Sequence, residues 1–563
     1  MDRQAALAAL TAPGERYELE TVELYGRTCL SFRNAPPTLR DLYDQSRSDL
    51  PFIVYESERL SFEDAWREAC RLATLLVEEY GIEKGDRVAI SMRNYPEWMI
   101  AFSAITSIGA MAVAMNALWQ PNEMAYGLRD SGARALLADE ERLERLSKCT
   151  EAFSDLSVLA VRARGLHGVN ARPLVDALSG IEASKMPDVR IHPNDDTTIF
   201  YTSGSTGHPK GVVSCHRNII TALMSWELDG HAGALVRGRE LPVPQEQPAS
   251  LLAVPLFHAT GSHAVYLSSY RAQRRIVSMY KWDVEHAAEL IERERIASVI
   301  APAAMTGDLV SAAERTKRDL SSLATVGGGG APRAPTQVRN IDRAFKRAMP
   351  NTGWGMTETN AIGTGIHGRD YLDRPGSSGR CSAVLELRVV DEDGVELPVG
   401  ERGELHVRGT SVFRGYWNRP DADAETFVDG WMRTGDVAYL DEEGFLFIVD
   451  RIKDLVIRGG ENIGCGAVEA VLLEHPDVIE ASVYGVPDER LGEEVGATVF
   501  ARAALGDQAL RAFLEPRLAR FELPRHLRFS GSPLPRTASG KILKRQIRQD
   551  ALAALGVGDA ACT

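Results

Sequence analysis

The sequence predicts an α/β protein in which a large N-terminal domain is followed by a small, mobile α+β domain. Three observations support this: repeated helix–strand units over most of the chain, a change to short strands after about residue 375, and a second change after residue 450. We expect residues 1–452 to form the N-terminal domain, made of two parallel-type α/β subdomains and a β-barrel-like subdomain at about 375–450. Residues 453–563 are expected to form a C-terminal lid domain.

Two helix–strand units illustrate the α/β pattern. Ser61 and Asp64 have the spacing of a capping box, apolar residues at helical spacing follow them, and Arg87–Met92 has the composition of a strand. Asp283 precedes a similar helical pattern, and Ala297–Ile300 follows as a strand. Such repeats predict parallel sheets that are covered by helices on both faces.

Short strands mark the β-rich subdomain at Leu385–Val390, Glu404–Arg408 and Phe445–Val449, where Gly and Asp turns separate them. After Asp450 a helix, two strands, a second helix and a last strand complete the chain. We therefore expect the C-terminal residues to be a small α+β domain of its own.

Composition excludes some classes of protein. The chain is 44% hydrophobic and 25% charged, as globular proteins are, and its net charge of -14 disfavours a nucleic-acid partner. Seven dispersed cysteines without a CxxC pair, and a start without a signal peptide, predict a cytoplasmic protein. The uncharged stretch from Trp98 to Trp119 is long enough to span a bilayer, but polar residues and Gly109 interrupt it, so we expect buried core and no transmembrane segment.

The strongest local signal for chemistry is a loop rich in hydroxyls and glycines. The strand Thr197–Tyr201 runs into Thr202–Gly207, and Pro209-Lys210-Gly211 follows. Glycines let backbone N–H groups turn toward an anion, hydroxyls add donors and the lysine adds charge. The loop lacks the spacing of a Walker motif, yet it predicts a phosphate-binding site.

Two further segments are ambiguous when taken singly. Gly353–Thr359 brings together an aromatic ring, hydroxyls and a carboxylate, which can stack on a base, bond phosphate and bind Mg²⁺, but an ordinary turn has similar composition. Pro535–Lys541 places a lysine before a basic tail, which is more often a solvated charge run.

Taken together, these segments resemble the adenylate-forming superfamily of acyl-CoA synthetases, peptide-synthetase adenylation domains and beetle luciferases. The resemblance extends from about Asp41 to Ile547 and is nearest to bacterial fatty-acid–CoA ligases. It implies an AMP- and pyrophosphate-forming acid–CoA ligase that first makes an acyl-adenylate and then a thioester. ATP, Mg²⁺ and coenzyme A are the implied cofactors and co-substrates.

The resemblance also implies roles for individual residues. The implied ATP- or AMP-binding residues are Thr202, Ser203, Gly204, Ser205, Thr206, Gly207, Lys210, Gly330, Ala331, Pro332, Trp354, Gly355, Met356, Thr357, Asp436, Ile448, Arg451 and Lys541. The implied catalytic residues are Lys541, Thr206, His258 and Glu358, with Glu358 as the Mg²⁺ ligand. The implied acyl pocket contains His258, Gly261, Ala303, Gly329 and Gly355. Gly459, Gly460 and Glu461 would line the coenzyme A tunnel, and Lys453 would be the hinge.

Two positions depart from the pattern of the family. Trp354 stands where a tyrosine usually stacks on adenine, and Gly464-Cys465 replaces a Tyr-Pro pair that many relatives have. In the implied mechanism two anions meet when the carboxylate attacks the α-phosphorus, so the reaction needs positive charge more than a general base. Lys541 would supply that charge only when the C-terminal domain is closed.

The acid and the acceptor are less well defined by the sequence. No aspartate lies between Leu251 and Tyr270, which disfavours an amino acid, because a buried ammonium would lack its partner. Small pocket residues favour a medium- or long-chain fatty acid or another hydrophobic acid. Alternatives are an aryl or cyclic acid–CoA ligase, a fatty acyl-AMP ligase or stand-alone adenylation enzyme that loads a carrier-protein phosphopantetheine, and a nucleotide-binding protein without catalysis. Contact of the basic tail with a membrane, and a homodimer, are left open.

Overall fold

A computed structural model describes residues 1–151, 153–202, 209–238, 246–329, 333–459, 461–502, 505–537 and 540–557. The first part of the chain contains α1 (Arg3–Leu10), β1 (Leu19–Leu24), β2 (Arg27–Phe32), α2 (Leu39–Gln45), β3 (Pro51–Tyr55), β4 (Glu58–Ser61), α3 (Phe62–Glu78), β5 (Arg87–Ser91), α4 (Pro96–Ser107), β6 (Met111–Ala114), α5 (Pro121–Ser131), β7 (Ala135–Asp139), α6 (Glu140–Ser147), β8 (Ser157–Val161), β9 (Ala171–Pro173) and α7 (Leu174–Ala177).

The second part of the chain continues the alternation of strands and helices. It contains β10 (Asp196–Thr202), β11 (Lys210–Cys215), α8 (His216–Val236), β12 (Ala249–Leu252), a π-helix (Thr260–Leu267), α9 (Ser268–Ala272), β13 (Arg275–Ser278), α10 (Val284–Arg293), β14 (Ser298–Ile300), α11 (Ala303–Arg315), β15 (Thr325–Gly327), α12 (Pro335–Ala344), β16 (Met349–Thr352), a 3₁₀ turn (Thr357–Thr359), β17 (Thr364–His367) and α13 (Gly368–Asp373).

The remaining elements belong to the β-rich part and the C-terminal domain. The β-rich part contains β18 (Gly379–Cys381), β19 (Leu385–Val390), β20 (Gly403–Gly409), β21 (Gly415–Tyr416), α14 (Pro420–Thr426), β22 (Phe427–Val428), β23 (Trp431–Leu440) and β24 (Phe445–Arg451). A 3₁₀ turn (Ile452–Asp454) leads to β25 (Val456–Arg458), β26 (Glu461–Ile463), α15 (Cys465–Leu472), β27 (Val478–Asp488), β28 (Gly492–Ala501), α16 (Asp507–Leu514), β29 (His526–Ser530) and α17 (Lys544–Leu555).

Two large sheets form the N-terminal domain. The first has the order β21-β11-β10-β6-β5-β7-β8-β9, in which β10 to β9 are parallel and β11 and β21 form an antiparallel edge. In the second, β3, β13, β12, β14, β15 and β16 are parallel. Antiparallel β17 then joins β16 to the path β18-β24-β23-β20-β19, so the β-rich strands extend the second sheet.

Local signals in the sequence are borne out at several elements. The hydroxyl of Ser61 accepts a hydrogen bond from the Asp64 amide at 3.0 Å, and the Asp64 carboxylate accepts one from the Ser61 amide at 3.0 Å, which begins α3. The stretch Trp98–Trp119 forms most of α4 and all of β6, and it turns at Gly109, whose φ is +73°. Its side chains are mostly buried, as predicted.

The C-terminal domain has its own apolar core. Thirteen buried residues of this core come from β25–β28, α15 and α16: Val456, Ile463, Cys465, Val468, Leu472, Val478, Ala481, Val483, Val495, Ala497, Val499, Leu510 and Leu514. The mixed α/β architecture with a large and a small domain is therefore confirmed. Within the part of the chain that the structure describes, no helix combines the length and the apolarity needed to cross a bilayer.

Candidate functional site

The chemistry-bearing residues lie around the carboxyl ends of the parallel strands, where open α/β sheets usually bind ligands. Part of the predicted site falls outside the described residues: Ser203, Gly204, Ser205, Thr206, Gly207, Gly330, Ala331, Pro332 and Gly460. The side chain of Lys453, which belongs to the 3₁₀ turn between β24 and β25, is likewise not described.

The two ends of the predicted phosphate loop are held in an antiparallel ladder. Thr202 ends β10 and pairs with Lys210, which begins β11. The Thr202 hydroxyl donates to the Lys210 carbonyl at 3.4 Å, and the Lys210 ammonium lies 5.0 Å from the centre of the Tyr416 ring. The ladder therefore anchors the loop at the edge of the first sheet, and Tyr416 connects it to the next group of residues.

Glu358, the predicted metal ligand, is buried in the 3₁₀ turn that Thr357 begins. The Tyr416 hydroxyl donates to its Oε1 atom at 3.0 Å, and the Phe413 amide donates to its backbone carbonyl at 2.8 Å. Burial raises the pKa of Glu358, and the hydrogen bond from Tyr416 opposes that rise. Glu358 is therefore a buried carboxylate that a tyrosine hydroxyl orients.

Sequence reasoning did not identify Tyr416. The signal was weak, because a short Gly-Tyr-Trp segment after a β-rich stretch has no chemistry of its own. Only the pairing of β21 with β11 brings this tyrosine between Lys210 and Glu358.

Asp436, the predicted ribose ligand, is 3% exposed and lies opposite Arg451 in the β23–β24 ladder. The Arg451 Nε atom lies 2.5 Å from its Oδ1 atom, and the Trp354 indole N–H donates to its Oδ2 atom at 2.7 Å. Burial raises the pKa of Asp436, whereas the charge of Arg451 and the bond from Trp354 act in the opposite direction. Three residues assigned to nucleotide binding are thus in direct contact.

The Trp354 ring is held tightly at 9% exposure by the loop that follows it. A Cβ atom at Gly363 would lie 2.4 Å from the ring, so glycine is required there for the indole to keep its place. At Gly355 a Cβ atom would lie 2.6 Å from the Ala361 carbonyl oxygen. Met356 and Ile448, also predicted at this site, are partly buried in the same apolar cluster.

Lys541 of the C-terminal domain is near enough to His258 of the N-terminal domain for its charge to affect that histidine. Burial, and then the charge of Lys541, lower the pKa of His258 to about 4, so this imidazole is neutral near pH 7. Removal from water and the charge of Arg451 lower the pKa of Lys541. The charge of Lys541 is thus felt at His258, and that of Arg451 at Lys541.

The loop that carries Lys541 contacts α11 of the N-terminal domain. A Cβ atom at Gly540 would lie 3.4 Å from the Met305 side chain, which shows how closely the loop approaches α11. The Arg536 guanidinium lies 3.9 Å from the Asp308 carboxylate of α11 and pairs with Glu480 in its own domain. In this structure the described part of the loop that carries Lys541 therefore lies against α11 of the N-terminal domain.

The predicted acyl pocket combines small residues with a neutral polar wall. Gly261 lies in the π-helix, where a Cβ atom would be 2.2 Å from the Pro255 carbonyl oxygen, and Gly329 is next to Thr260. Ala303 begins α11. Sequence reasoning missed His263, which contacts Ser262 Oγ at 2.7 Å and Asn360 Oδ1 at 3.2 Å.

Burial lowers the pKa of His263 to about 4, so this side chain is also neutral near pH 7. Its neighbour His258 has the same property, and the acyl side of the site therefore carries no histidine charge. A neutral wall is compatible with an uncharged acyl group.

Two of the predicted tunnel residues, Gly459 and Glu461, lie at the β25–β26 hairpin. Gly459 has a φ of +59° and donates to the Leu491 carbonyl at 2.8 Å, and Glu461 begins β26. The hydrogen bonds and ion pairs of the described residues do not join this hairpin to Asp436 or His258. The tunnel, like the hinge at Lys453, stays a prediction.

The fold and this convergence of residues define a two-domain nucleotide-dependent enzyme of the adenylate-forming class. The chain belongs to the AMP-binding enzyme family, whose model matches residues 43–417. The model of the AMP-binding enzyme C-terminal domain matches residues 467–541. The family predicted from the sequence is thereby confirmed, and the chain is an enzyme of that family.

Three curated proteins similar to this chain have different acids in their names. A 2-succinylbenzoate–CoA ligase of Bacillus velezensis is 31% identical over 499 residues, 88% of this chain and 94% of the relative. A long-chain-fatty-acid–CoA ligase, FadD13 of Mycobacterium tuberculosis, is 33% identical over 477 residues (83% and 89%). A feruloyl-CoA synthase of an Amycolatopsis species is 34% identical over 495 residues (87% and 94%).

A solved structure is also similar along nearly the whole chain. It is the o-succinylbenzoate CoA synthetase of Bacillus subtilis in complex with its acyl-adenylate intermediate. The TM-score is 0.76 at 28% identity, over 91% of this chain and 98% of that one.

Proposed function

We propose that this chain is an ATP-dependent carboxylic acid–CoA ligase that forms an acyl-adenylate and then a thioester. The observation that carries the proposal is the electrostatic interaction of Lys541, from the C-terminal domain, with Arg451 and His258 of the predicted nucleotide and acyl sites. The names of the three similar curated proteins support the proposal, because each name combines a carboxylic acid with coenzyme A.

In the first half-reaction a carboxylate oxygen attacks the α-phosphorus of ATP, a P–O bond forms, and pyrophosphate leaves. Both reactants are anions, so positive charge beside the carboxylate and the α-phosphate lowers the activation barrier of the attack. Lys541 supplies that charge at the α-phosphate and acyl carboxylate, and Lys210 supplies it at the outer phosphates. The neutral His258 lines the acyl side without adding charge.

The residues around Glu358 fit a magnesium site. Mg²⁺ is usually held by one or two carboxylates together with substrate phosphates and water. Glu358 offers such a carboxylate, and among the described residues there is no group of three or more His, Cys, Asp or Glu side chains that would hold a metal without a substrate. A Mg²⁺ ion bound there supplies positive charge to the phosphate oxygens of ATP.

The second half-reaction requires a thiol to reach the mixed anhydride after pyrophosphate has left. Lys541 and its loop cover the site in the closed arrangement, so this domain must turn away before the thiol can enter. We place the turn at Lys453 and assign the hairpin Gly459–Glu461 to the wall of the thiol tunnel. The thiol sulfur then forms the thioester, and AMP leaves.

The substrate is proposed to be a hydrophobic acid without an ammonium group. The absence of an aspartate from Leu251–Tyr270 and the neutral histidines of the acyl side support this class. A medium- or long-chain fatty acid is the first candidate, and an aryl acid is the second, because both kinds occur in the names of similar enzymes.

A substrate panel tests the proposal directly. Short, medium and long fatty acids, together with aryl and alicyclic acids, are compared by pyrophosphate release with and without coenzyme A. We expect acid-dependent pyrophosphate release and, with coenzyme A, an acyl-CoA product. Release without thioester on coenzyme A, but with transfer to a phosphopantetheinylated carrier protein, would favour the alternative acceptor. If no acid of the panel causes pyrophosphate release, the proposal is wrong.

A further inference from the structure

Both oxygens of the Asp436 carboxylate are held by neighbouring side chains in the closed site. Arg451 Nε lies 2.5 Å from Oδ1, and the indole N–H of Trp354 lies 2.7 Å from Oδ2. An ionised carboxylate has about four lone-pair positions, two on each oxygen. Each Asp436 oxygen therefore keeps roughly one further position for a ligand.

Two acceptor positions on neighbouring oxygens match the two hydroxyl donors of a cis-diol. The orientation of the carboxylate plane decides where those positions point, and a freely rotating carboxylate would lose the match. We propose that Trp354 is a positioning residue, whose indole N–H fixes Asp436 so that it accepts both ribose hydroxyls of ATP and thereby selects ribonucleotides over deoxyribonucleotides. This inference rests on the proposed function, because it assumes ATP as the nucleotide.

The residues packed around Trp354 restrict the orientation of its ring, and this gives the indole N–H a fixed direction. Close approach of Gly363 to the ring leaves the indole little freedom to rotate. The side chain is also packed into the cluster that contains Val212, Ile362 and Leu405. The rigid ring therefore works as a fixed donor, and the cost of ordering it is met when the protein folds.

Charge on Asp436 depends on the same contacts. Burial raises its pKa, Arg451 and Trp354 lower it, and Asp450 raises it. Glu358, whose pKa Asp436 raises, is the other acidic group on this side of the site, and Lys541 approaches Arg451. Loss of the indole donor therefore favours the protonated form of Asp436, which cannot accept two hydroxyl bonds.

The experiment compares the wild-type enzyme with Trp354→Phe, which keeps an aromatic face and loses the donor. Pyrophosphate release is measured with ATP, 2′-deoxy-ATP and 3′-deoxy-ATP at several pH values. In the variant we expect the KM for ATP to rise about tenfold while the KM for the acid is unchanged, and the preference for ATP over each deoxynucleotide to fall about tenfold. The rise in KM at acidic pH should also begin at a higher pH than in the wild type.

Trp226→Phe is the matched control, because this partly buried tryptophan packs against the same cluster without a hydrogen bond to Asp436 in the described structure. It should keep the wild-type preference for ATP. Trp354→Met, which also lacks a donor, replaces the phenylalanine variant if that one does not fold. An unchanged ratio of ATP to deoxynucleotide activity in either variant would overturn the inference.

A second measurement uses only the wild-type chain, so it does not depend on the stability of any variant. With the indole nitrogens labelled, the Trp354 N–H should exchange slowly with solvent in the presence of AMP, since the inference keeps it bonded to Asp436. Rapid exchange in the AMP complex would contradict the inference. Failure of the proposed function is a different result, namely a wild-type enzyme that releases no pyrophosphate from ATP with any acid.

Discussion

Single side chains carry most of the proposed chemistry, and their effects depend on which domain holds them. Lys541 belongs to the C-terminal domain, whereas Asp436 and Glu358 belong to the N-terminal domain. Both carboxylates are buried, and Lys541 is close enough to Arg451 for its pKa to be lowered. A change at Lys541 should therefore affect only the steps that occur in the closed arrangement.

Lys541→Ala should reduce adenylation by a factor on the order of 10² to 10³, because the closed site loses its mobile cation. Thiolysis of a supplied acyl-adenylate should remain near the wild-type rate. The two half-reactions are measured separately, by pyrophosphate release and by thioester formation. Arg545→Ala, an exposed cation on α17, is the control, and an equal loss in both half-reactions would refute domain alternation.

Tyr416→Phe should raise the Mg²⁺ concentration needed for half-maximal adenylation by about tenfold, because Glu358 loses the donor that orients it. The measurement is a Mg²⁺ titration at saturating ATP and acid. Tyr439→Phe is the control, since that ring stacks on Phe447 in the β23–β24 ladder. If both variants need the same Mg²⁺ concentration as the wild type, Tyr416 has no part in placing Glu358.

At the scale of elements, the π-helix is the most constrained segment of the site. It begins directly after the loop that contains His258, and Gly261 approaches the Pro255 carbonyl too closely for any side chain. Widened helical turns of this kind are frequent at functional sites. The segment brings Thr260 next to Gly329 of the predicted acyl pocket, and its backbone has little freedom to adjust at Gly261.

Gly261→Ala should therefore destabilise the N-terminal domain by about 1–3 kcal/mol, because the added methyl group meets backbone. Gly307→Ala is the matched control: Gly307 lies in α11 and an added Cβ atom has open space, so this change should stabilise by about 0.5–1 kcal/mol. Denaturant midpoints of the two variants are compared with that of the wild type. Equal midpoints for both variants would show that the π-helix can relax.

At the scale of the whole molecule, stability is linked to pH by histidines of the described chain, among them His216, His258 and His263. Burial lowers the pKa of His216 to about 3 and those of His258 and His263 to about 4, below the usual 6.5. The unfolded chain then binds more protons than the folded one below pH 6.5, so stability falls as the pH decreases toward 4. Above pH 6.5 these histidines are neutral in both states and add no pH dependence.

His216→Gln should reduce this pH dependence, because one buried group no longer takes up a proton on unfolding. The Leu39 amide donates to the His216 Nδ1 atom at 3.2 Å, and glutamine retains an acceptor for it. Thermal midpoints between pH 7.5 and pH 5 are compared for wild type, His216→Gln and the exposed-site control His286→Gln. A slope in the variant as steep as that of the wild type would show that His216 does not contribute.

The sequence alone predicted the elements whose determinants are local. Spacing and composition predicted the capping box at Ser61, the buried helix and strand between Trp98 and Trp119, and the small C-terminal domain, so tertiary contacts did not have to be known. The family was also recognisable, because its motifs are continuous segments of chain. Roles assigned to individual residues stay predictions until the assays are done.

Contacts between distant segments were decided only by the tertiary structure. The bond from Trp354 to Asp436, the place of Tyr416 beside Glu358, and the approach of Lys541 to His258 join residues that no local pattern relates. Strand order and domain closure bring these groups together, and neither is encoded in a short stretch of sequence. Local chemistry thus determined which groups the site contains, whereas packing decided which of them touch, because only packing fixes distances between remote parts of a chain.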